Sequence, residues 1–312
     1  MKESTERILY SPLGALFHLM ALMPLRALYL LSDALYFLVY HVVRYRRNIV
    51  RRNLAESFPD KSRKDILGIE REFYHHFADY FVESIKLLHI SDDEMRRRCP
   101  FEGVELIDRA FDQGRSILVY VSHYGNWEWV TSVTLWSRYK AGENAIFAQV
   151  YRPLKNKWFD NLFLGIRSRF HSVCFAKNKV LRDLVRAKAS GKPIITGFIS
   201  DQHPNRNDED HVIRFLNHDT AMITGAEMIA RKMNYVVLYF DLEKTSRGHY
   251  KCTVREISQD TSLLPVGVLT DDYARRLEQR ICSSPAYWLW THNRWKRKVV
   301  LKENNDKMKS EQ

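Results

Sequence analysis

A histidine and a glutamate five residues apart, His123 and Glu128, stand in the segment SHYGNWE. On one continuous helix they would sit about 140° apart, at roughly 100° per residue, and could not readily meet. Across a strand–turn–helix corner they can. Residues 117–121 form a short apolar, β-branched run that reads as a buried strand, and Ser122-His123-Tyr124-Gly125-Asn126 breaks it. Asn126 is a good helix N-cap, and Trp129, Val130 and Val133 continue at helical spacing. His123 is therefore expected at the carboxyl end of a strand, where α/β sheets hold their ligands, with Glu128 in the first helical turn. A carboxylate behind an imidazole fixes its tautomer and stabilises the imidazolium. With such a base no serine or cysteine nucleophile is needed, because a hydroxyl of the substrate can attack. On residue types alone a bland alternative stands: a structural histidine at a strand end, and a glutamate favoured there by the helix dipole.

The elements around this corner follow from periodicity. A helical stretch at 53–89 is interrupted by a turn at Ser57-Phe58-Pro59-Asp60, and 101–113 reads as a short helix stopped by Gly114. Residues 144–150 and 194–200 are further strand candidates, the first leading into Tyr151-Arg152-Pro153 and the second into Asp201-Gln202. Three strand ends with ionisable or polar residues are what an α/β active site requires. An amphipathic helix is expected at 156–171, with Arg167 and Arg169 in the last turn, and further helices at 179–190, 224–233 and 270–282. Residues 235–240 and 250–257 read as an antiparallel pair of strands. The fold expected is α/β, a central mixed sheet flanked by helices. The aromatic run at 287–290 reads as core packing. His75 and His76 are adjacent, face about 100° apart on a helix, and read as structural, not as a metal pair.

The formal net charge is +12, which implies acidic partners such as nucleic acid, an anionic membrane, phosphorylated substrates or an acidic protein. Cys99, Cys174, Cys252 and Cys282 are scattered without CxxC spacing, which fits a reducing compartment and speaks against a zinc site or disulfide framework. The sequence has no GxGxxG or Walker-type loop. The most hydrophobic region, 8–43, is neither a clean secretory signal nor an ideal span: Pro24 and Arg26 interrupt it, and Asp33 would cost about 2.5–3.5 kcal/mol at a bilayer centre. It could span with a kink, enter and return, lie in the interface, or form a buried helical hairpin of the core. Arg44, Arg46, Arg47, Arg51 and Arg52 follow directly, which by the positive-inside rule puts the rest of the chain on the cytoplasmic side and offers charge to anionic head groups. A nucleic-acid binder would have no reason to set His and Glu across a corner behind an apolar N-terminus.

Five blocks in order, YRRNIVRRNLAESFPDKS, SHYGNWE, Tyr151-Arg152-Pro153, Asp201-Gln202 and PAYWLWTHNRWK, resemble the lipid A late acyltransferases, the lauroyl/myristoyl-transferase branch of the lysophospholipid acyltransferase superfamily. The resemblance covers about residues 10 to 298. It implies a glycerolipid acyltransferase-like α/β domain (46–300) behind a membrane-anchoring segment (1–45); the polar composition of 301–312 reads by itself as a disordered tail. The resemblance also implies transfer of a fatty acyl chain from acyl carrier protein, or less often coenzyme A, to a hydroxyl of a phosphorylated glycolipid at the cytoplasmic face of the inner membrane. No metal or bound cofactor is required. By position, His123 would be the base and Glu128 its partner, with Arg152, Arg167, Asp201 and Gln202 binding substrate. The acceptor could also be another membrane lipid. Two departures stand out: Ser122 where many relatives have glycine, and His203-Pro204 after Asp201-Gln202 with the acidic stretch 205–211 that follows.

Overall fold

The computed structural model describes residues 11–205 and 209–301. The apolar N-terminal region is split by Pro24 into two helices, α1 (Pro12–Leu22) and α2 (Leu25–Tyr36), and a π-helical turn, Phe37–Val42, extends the second. Ser11 caps α1 by accepting the Gly14 N–H at 3.0 Å. The expected turn after Ser57 separates α3 (Arg47–Ser57) from α4 (Arg63–Lys86), which Ser62 caps. A short α5 (Asp92–Arg98) carries three acidic residues in its first turn and three arginines in its last, matching the helix dipole.

Helix α4 is amphipathic in an unusual sense: its buried side includes Glu70, Asp79 and Glu83. Each carboxylate has partners. Arg51 forks onto Glu70 at 2.8 Å through two nitrogens. Asp79 accepts from Ser32 of α2 at 2.7 Å and from Arg247. Glu83 accepts from the Tyr29 hydroxyl at 2.9 Å and the Tyr250 hydroxyl at 2.8 Å. Helix α2 thus docks along α4 through a polar stripe, with Asp33 paired to Arg247. The arginines after the apolar region are also engaged internally. Besides Arg51 on Glu70, Arg46 donates to the Thr291 carbonyl and Arg52 to Asn293. His75 stacks on Tyr36, and the buried His76 meets the edge of Tyr287.

The expected helix over 101–113 begins instead with a two-residue strand, β1 (Phe101–Glu102), before α6 (Glu105–Asp112). Gly103 makes the break. Its φ is +78°, and a Cβ there would lie 2.6 Å from the Val254 carbonyl oxygen. The expected strands follow as β2 (Ile117–Val121), β3 (Ile146–Tyr151) and β5 (Ile194–Ile199), with α7 (Lys157–Arg167), an edge strand β4 (Val173–Ala176) and α8 (Val180–Lys188) between β3 and β5. A hairpin not anticipated from the sequence, β6 (Val212–Phe215) and β7 (His218–Ala221), follows, and α9 (Gly225–Met233), β8 (Val236–Ser246), β9 (His249–Ser258) and α10 (Val268–Ser283) come after it.

The main sheet has seven strands in the order β1-β9-β8-β2-β5-β3-β4. The five from β8 to β4 are parallel, while β9 runs antiparallel to β8 and β1 follows β9. Alternation along β2 sends Ile117, Val119 and Val121 into one core and Leu118 and Tyr120 into the other. The sheet is therefore covered on both faces, which is why its central strands are uniformly apolar. Because β2, β5 and β3 are adjacent and parallel, their three carboxyl ends converge, as the sequence predicted. Apart from Leu301, the tail at 301–312 lies outside the described residues, as do residues 1–10.

Candidate active site

The corner after β2 is built on Gly125, whose φ is +60°. A Cβ there would meet Leu242 at 3.0 Å and Tyr250 at 3.2 Å, so only glycine fits comfortably. The expected α-helix beyond it is a 3₁₀ helix, Trp129–Leu135, preceded by a turn. The C-terminal aromatic segment straps the corner from outside. The Gly125 N–H donates to the Tyr287 carbonyl at 2.9 Å, and the Leu289 N–H donates to the His123 carbonyl at 3.0 Å.

The carboxylate behind His123 is Asp201, and this corrects the expected pairing with Glu128. Nδ1 of His123 lies 2.6 Å from Oδ1 of Asp201, and the His123 backbone N–H donates to Oδ2 at 2.9 Å. The indole N–H of Trp288 donates to the same Oδ2 at 2.8 Å. Burial works to raise the Asp201 carboxyl, but the His123 charge and these three donors hold it below the ordinary value of 3.8. An ionised Asp201 keeps the ring proton on Nδ1 and leaves the Nε2 lone pair facing away. The side-chain amide of Gln202 lies 3.2 Å from Nε2 and caps it. The reason for the correction is topological. β5 is the direct neighbour of β2, with Val121 opposite Ile199, so the residue two beyond Ile199 comes level with the residue two beyond Val121.

Glu128 has a different partner. Its side chain is 2% exposed, and both oxygens are held by Arg167, at 2.8 Å from Nε and 2.7 Å from Nη2. The Tyr80 hydroxyl is 3.4 Å from Oε1, and the Tyr80 ring stacks on Trp127, which in turn stands edge-on to His123. Burial works against the Arg167 charge, but Glu128 more than offsets it and raises the guanidinium pKa. Arg167 is thus neither a simple helix-end cation nor a free anion site; it closes a fork–fork pair in the wall beside the dyad.

His123, Glu128, Arg167, Gln202 and Arg152 all line one cavity of about 620 Å³ at the carboxyl ends of β2, β5 and β3. That is in the usual size range of a small-molecule site. Its walls are mostly aliphatic and aromatic. Arg152 is exposed at its wall, with Lys177 near by. Asp201 is buried behind the histidine.

Residues 5–297 match the model of the bacterial lipid A biosynthesis acyltransferases. The chain belongs to this family. It is 23% identical over 265 residues to the lipid A biosynthesis palmitoleoyltransferase of Escherichia coli K12, covering 83% of this chain and 81% of the relative. Identity and coverage are the same for the lipid A biosynthesis acyltransferase of Shigella flexneri.

Two parts of the candidate site escaped the sequence reading. Trp288 was expected only to pack the core; it is buried and also bonds Asp201. His292, on the same strap, accepts the His203 backbone N–H at 3.2 Å. Burial, with Arg294 close by, pushes its pKa down to about 4. A histidine whose folded pKa lies below its unfolded 6.5 keeps its stabilising neutral form above 6.5 and costs stability as pH falls from 6.5 towards 4. Urea unfolding measured from pH 7 to 4 should therefore show a falling midpoint, and the fall should be shallower in His292→Asn.

Proposed function

We propose that the protein transfers a fatty acyl chain from an acyl carrier protein thioester to a hydroxyl of a lipid A precursor, with His123 as general base oriented by Asp201. The observation that carries this reading is the dyad: an imidazole with Nδ1 on a buried carboxylate and Nε2 aimed into an apolar cavity. The acceptor hydroxyl displaces the Gln202 amide and gives its proton to Nε2. The alkoxide attacks the thioester carbonyl, and collapse of the tetrahedral oxyanion expels the thiolate, which takes the proton back from the imidazolium. At the corner the N–H groups of His123, Gly125 and Trp129 are already bonded to Asp201, Tyr287 and Asn126, so they are poor candidates for oxyanion donors. Arg152 and Lys177 supply positive charge at the cavity for a phosphorylated acceptor. Exposed Lys179, Arg182 and Arg186 continue that charge over α8 and suit an acidic carrier. Both relatives are named as acyltransferases of lipid A biosynthesis, which supports lipid A as the acceptor class.

The test is acyl transfer by the purified protein in detergent. Acyl carrier protein and coenzyme A thioesters would be compared on a phosphorylated, under-acylated lipid A precursor. Product from the carrier thioester supports the reading. Product from coenzyme A alone removes the carrier, and no product from folded, lipid-bound protein removes the acceptor.

The same proposal places the protein on the cytoplasmic face of the inner membrane, held there without crossing it. Leu25–Val42 is long and apolar enough to span. Yet one side of α2 is tied to α4 by Tyr29 and Ser32 and to the β8–β9 turn by Asp33, while Leu19, Leu22, Leu30, Phe37 and Val42 are exposed on the other sides of the N-terminal helices. Such a face suits insertion into one leaflet. Each inserted leucine is worth about 1.5–3 kcal/mol. The double change Leu19→Asp and Leu30→Asp should weaken sedimentation with anionic phospholipid vesicles by more than about tenfold, since 1.4 kcal/mol is one decade.

A further inference from the structure

Residues of β2, β5 and β3 that face the same side of the sheet form successive layers below the dyad. Val121 stands opposite Ile199, then Gly197 lies between Val119 and Gln149, then Ile195 stands opposite Phe147. All of these line the cavity. The middle layer is open at one point only, Gly197. Glycine in the interior of a central strand weakens it, and so marks a bulge or a place that something must approach closely. The pairing of β5 with both neighbours is regular through Gly197, so there is no bulge. Nor does its backbone need a glycine, since its φ is outside the left-handed region. What the position has is room: a Cβ there would find only Val121 Cγ2 at 3.7 Å and the Ala148 carbonyl oxygen at 3.9 Å.

We propose that Gly197 is a chain-length determinant, the opening through which the acyl chain passes from the dyad to the Ile195–Phe147 layer. This rests on the acyl-transfer reading above. Val119, the β2 partner of Gly197, is four residues before His123, which is about 13 Å along a strand. A side chain at 197 would therefore close the lower part of the chamber and leave the part beside His123 intact. Valine is well suited to the substitution, because it is favoured in strands and should not weaken β5.

The experiment measures transfer from carrier thioesters from octanoyl to palmitoyl by wild type, Gly197→Ala and Gly197→Val. In parallel, binding of free fatty acids of the same lengths is measured by displacement of a fluorescent fatty acid. Gly197→Val should use the short donors at near the wild-type rate. Its rate with the longest chain that the wild type accepts should fall about tenfold or more, the scale on which apolar pockets discriminate by methylenes. Gly197→Ala should lie between, and fatty-acid binding should follow the same order. A common loss at all lengths, or an unchanged length profile, overturns the proposal. If the wild type transfers nothing, the acyl-transfer reading fails, and binding decides alone. Selective loss of long-chain binding in the valine variant then upholds Gly197 as the opening, and equal binding removes it. If the valine variant does not fold, the alanine variant, whose methyl meets only ordinary contacts, carries the same comparison.

Discussion

Asp201→Asn is expected to reduce acyl transfer by about 10⁴-fold in a protein that stays folded, the loss seen when the aspartate behind a catalytic histidine becomes an amide. The argument is one of protons. Asparagine keeps the shape of the side chain, and its carbonyl can still accept the Trp288 indole N–H. If it does so, its NH₂ group faces Nδ1 of His123, which must then accept. The ring proton moves to Nε2, the nitrogen that faces the cavity, and the base is lost without any change of packing. His123→Ala removes the base directly and should cost at least the 10²–10⁴-fold typical of general-base loss. Initial rates on a lipid A precursor, with thermal unfolding of each variant beside them, check both. Asp201→Asn within tenfold of wild type would mean that the 2.6 Å contact to Nδ1 is structural and that another group orients the imidazole.

How far the sequence could be read is clearest at this dyad. The strand–turn–helix corner, the apolar strands on each side and the convergence of three strand ends all follow from period-two runs bounded by turn residues. Those patterns are local. Which carboxylate reaches His123 is not local, because it depends on β5 lying beside β2, 78 residues away along the chain. Glu128 was close in sequence and chemically suitable; Asp201 was recognisable as a site residue, but its partner was not. The β6–β7 hairpin was missed for a related reason. Its two turn residues, Leu216 and Asn217, both have positive φ, and leucine gives no signal for such a turn. The buried acids of α4 were hidden because partners from α2, α3, the corner and β8–β9 make burial of Glu70, Asp79 and Glu83 acceptable. An apolar period cannot report that.

Glu128→Ala should destabilise the protein by about 3–5 kcal/mol, the usual cost of removing one partner from a buried ion pair. Arg167 would be left with its charge in the cavity wall, where burial opposes it and Glu128 no longer compensates. Activity should fall too, because Arg167 is freed to move toward the chamber beside His123. The informative variant is the double one, Glu128→Leu with Arg167→Met. Replacing both members of a buried pair by apolar groups of similar volume is often neutral or stabilising. If Glu128 serves the wall, the double variant should recover most of the lost stability, measured by urea unfolding, and much of the lost rate. If Glu128 acts on His123 during the reaction, stability should return while the rate stays at the level of Glu128→Ala. The two outcomes separate a residue that shapes the chamber from one that takes part in proton transfer. They do so at a position where the resting geometry gives both carboxylate oxygens to Arg167.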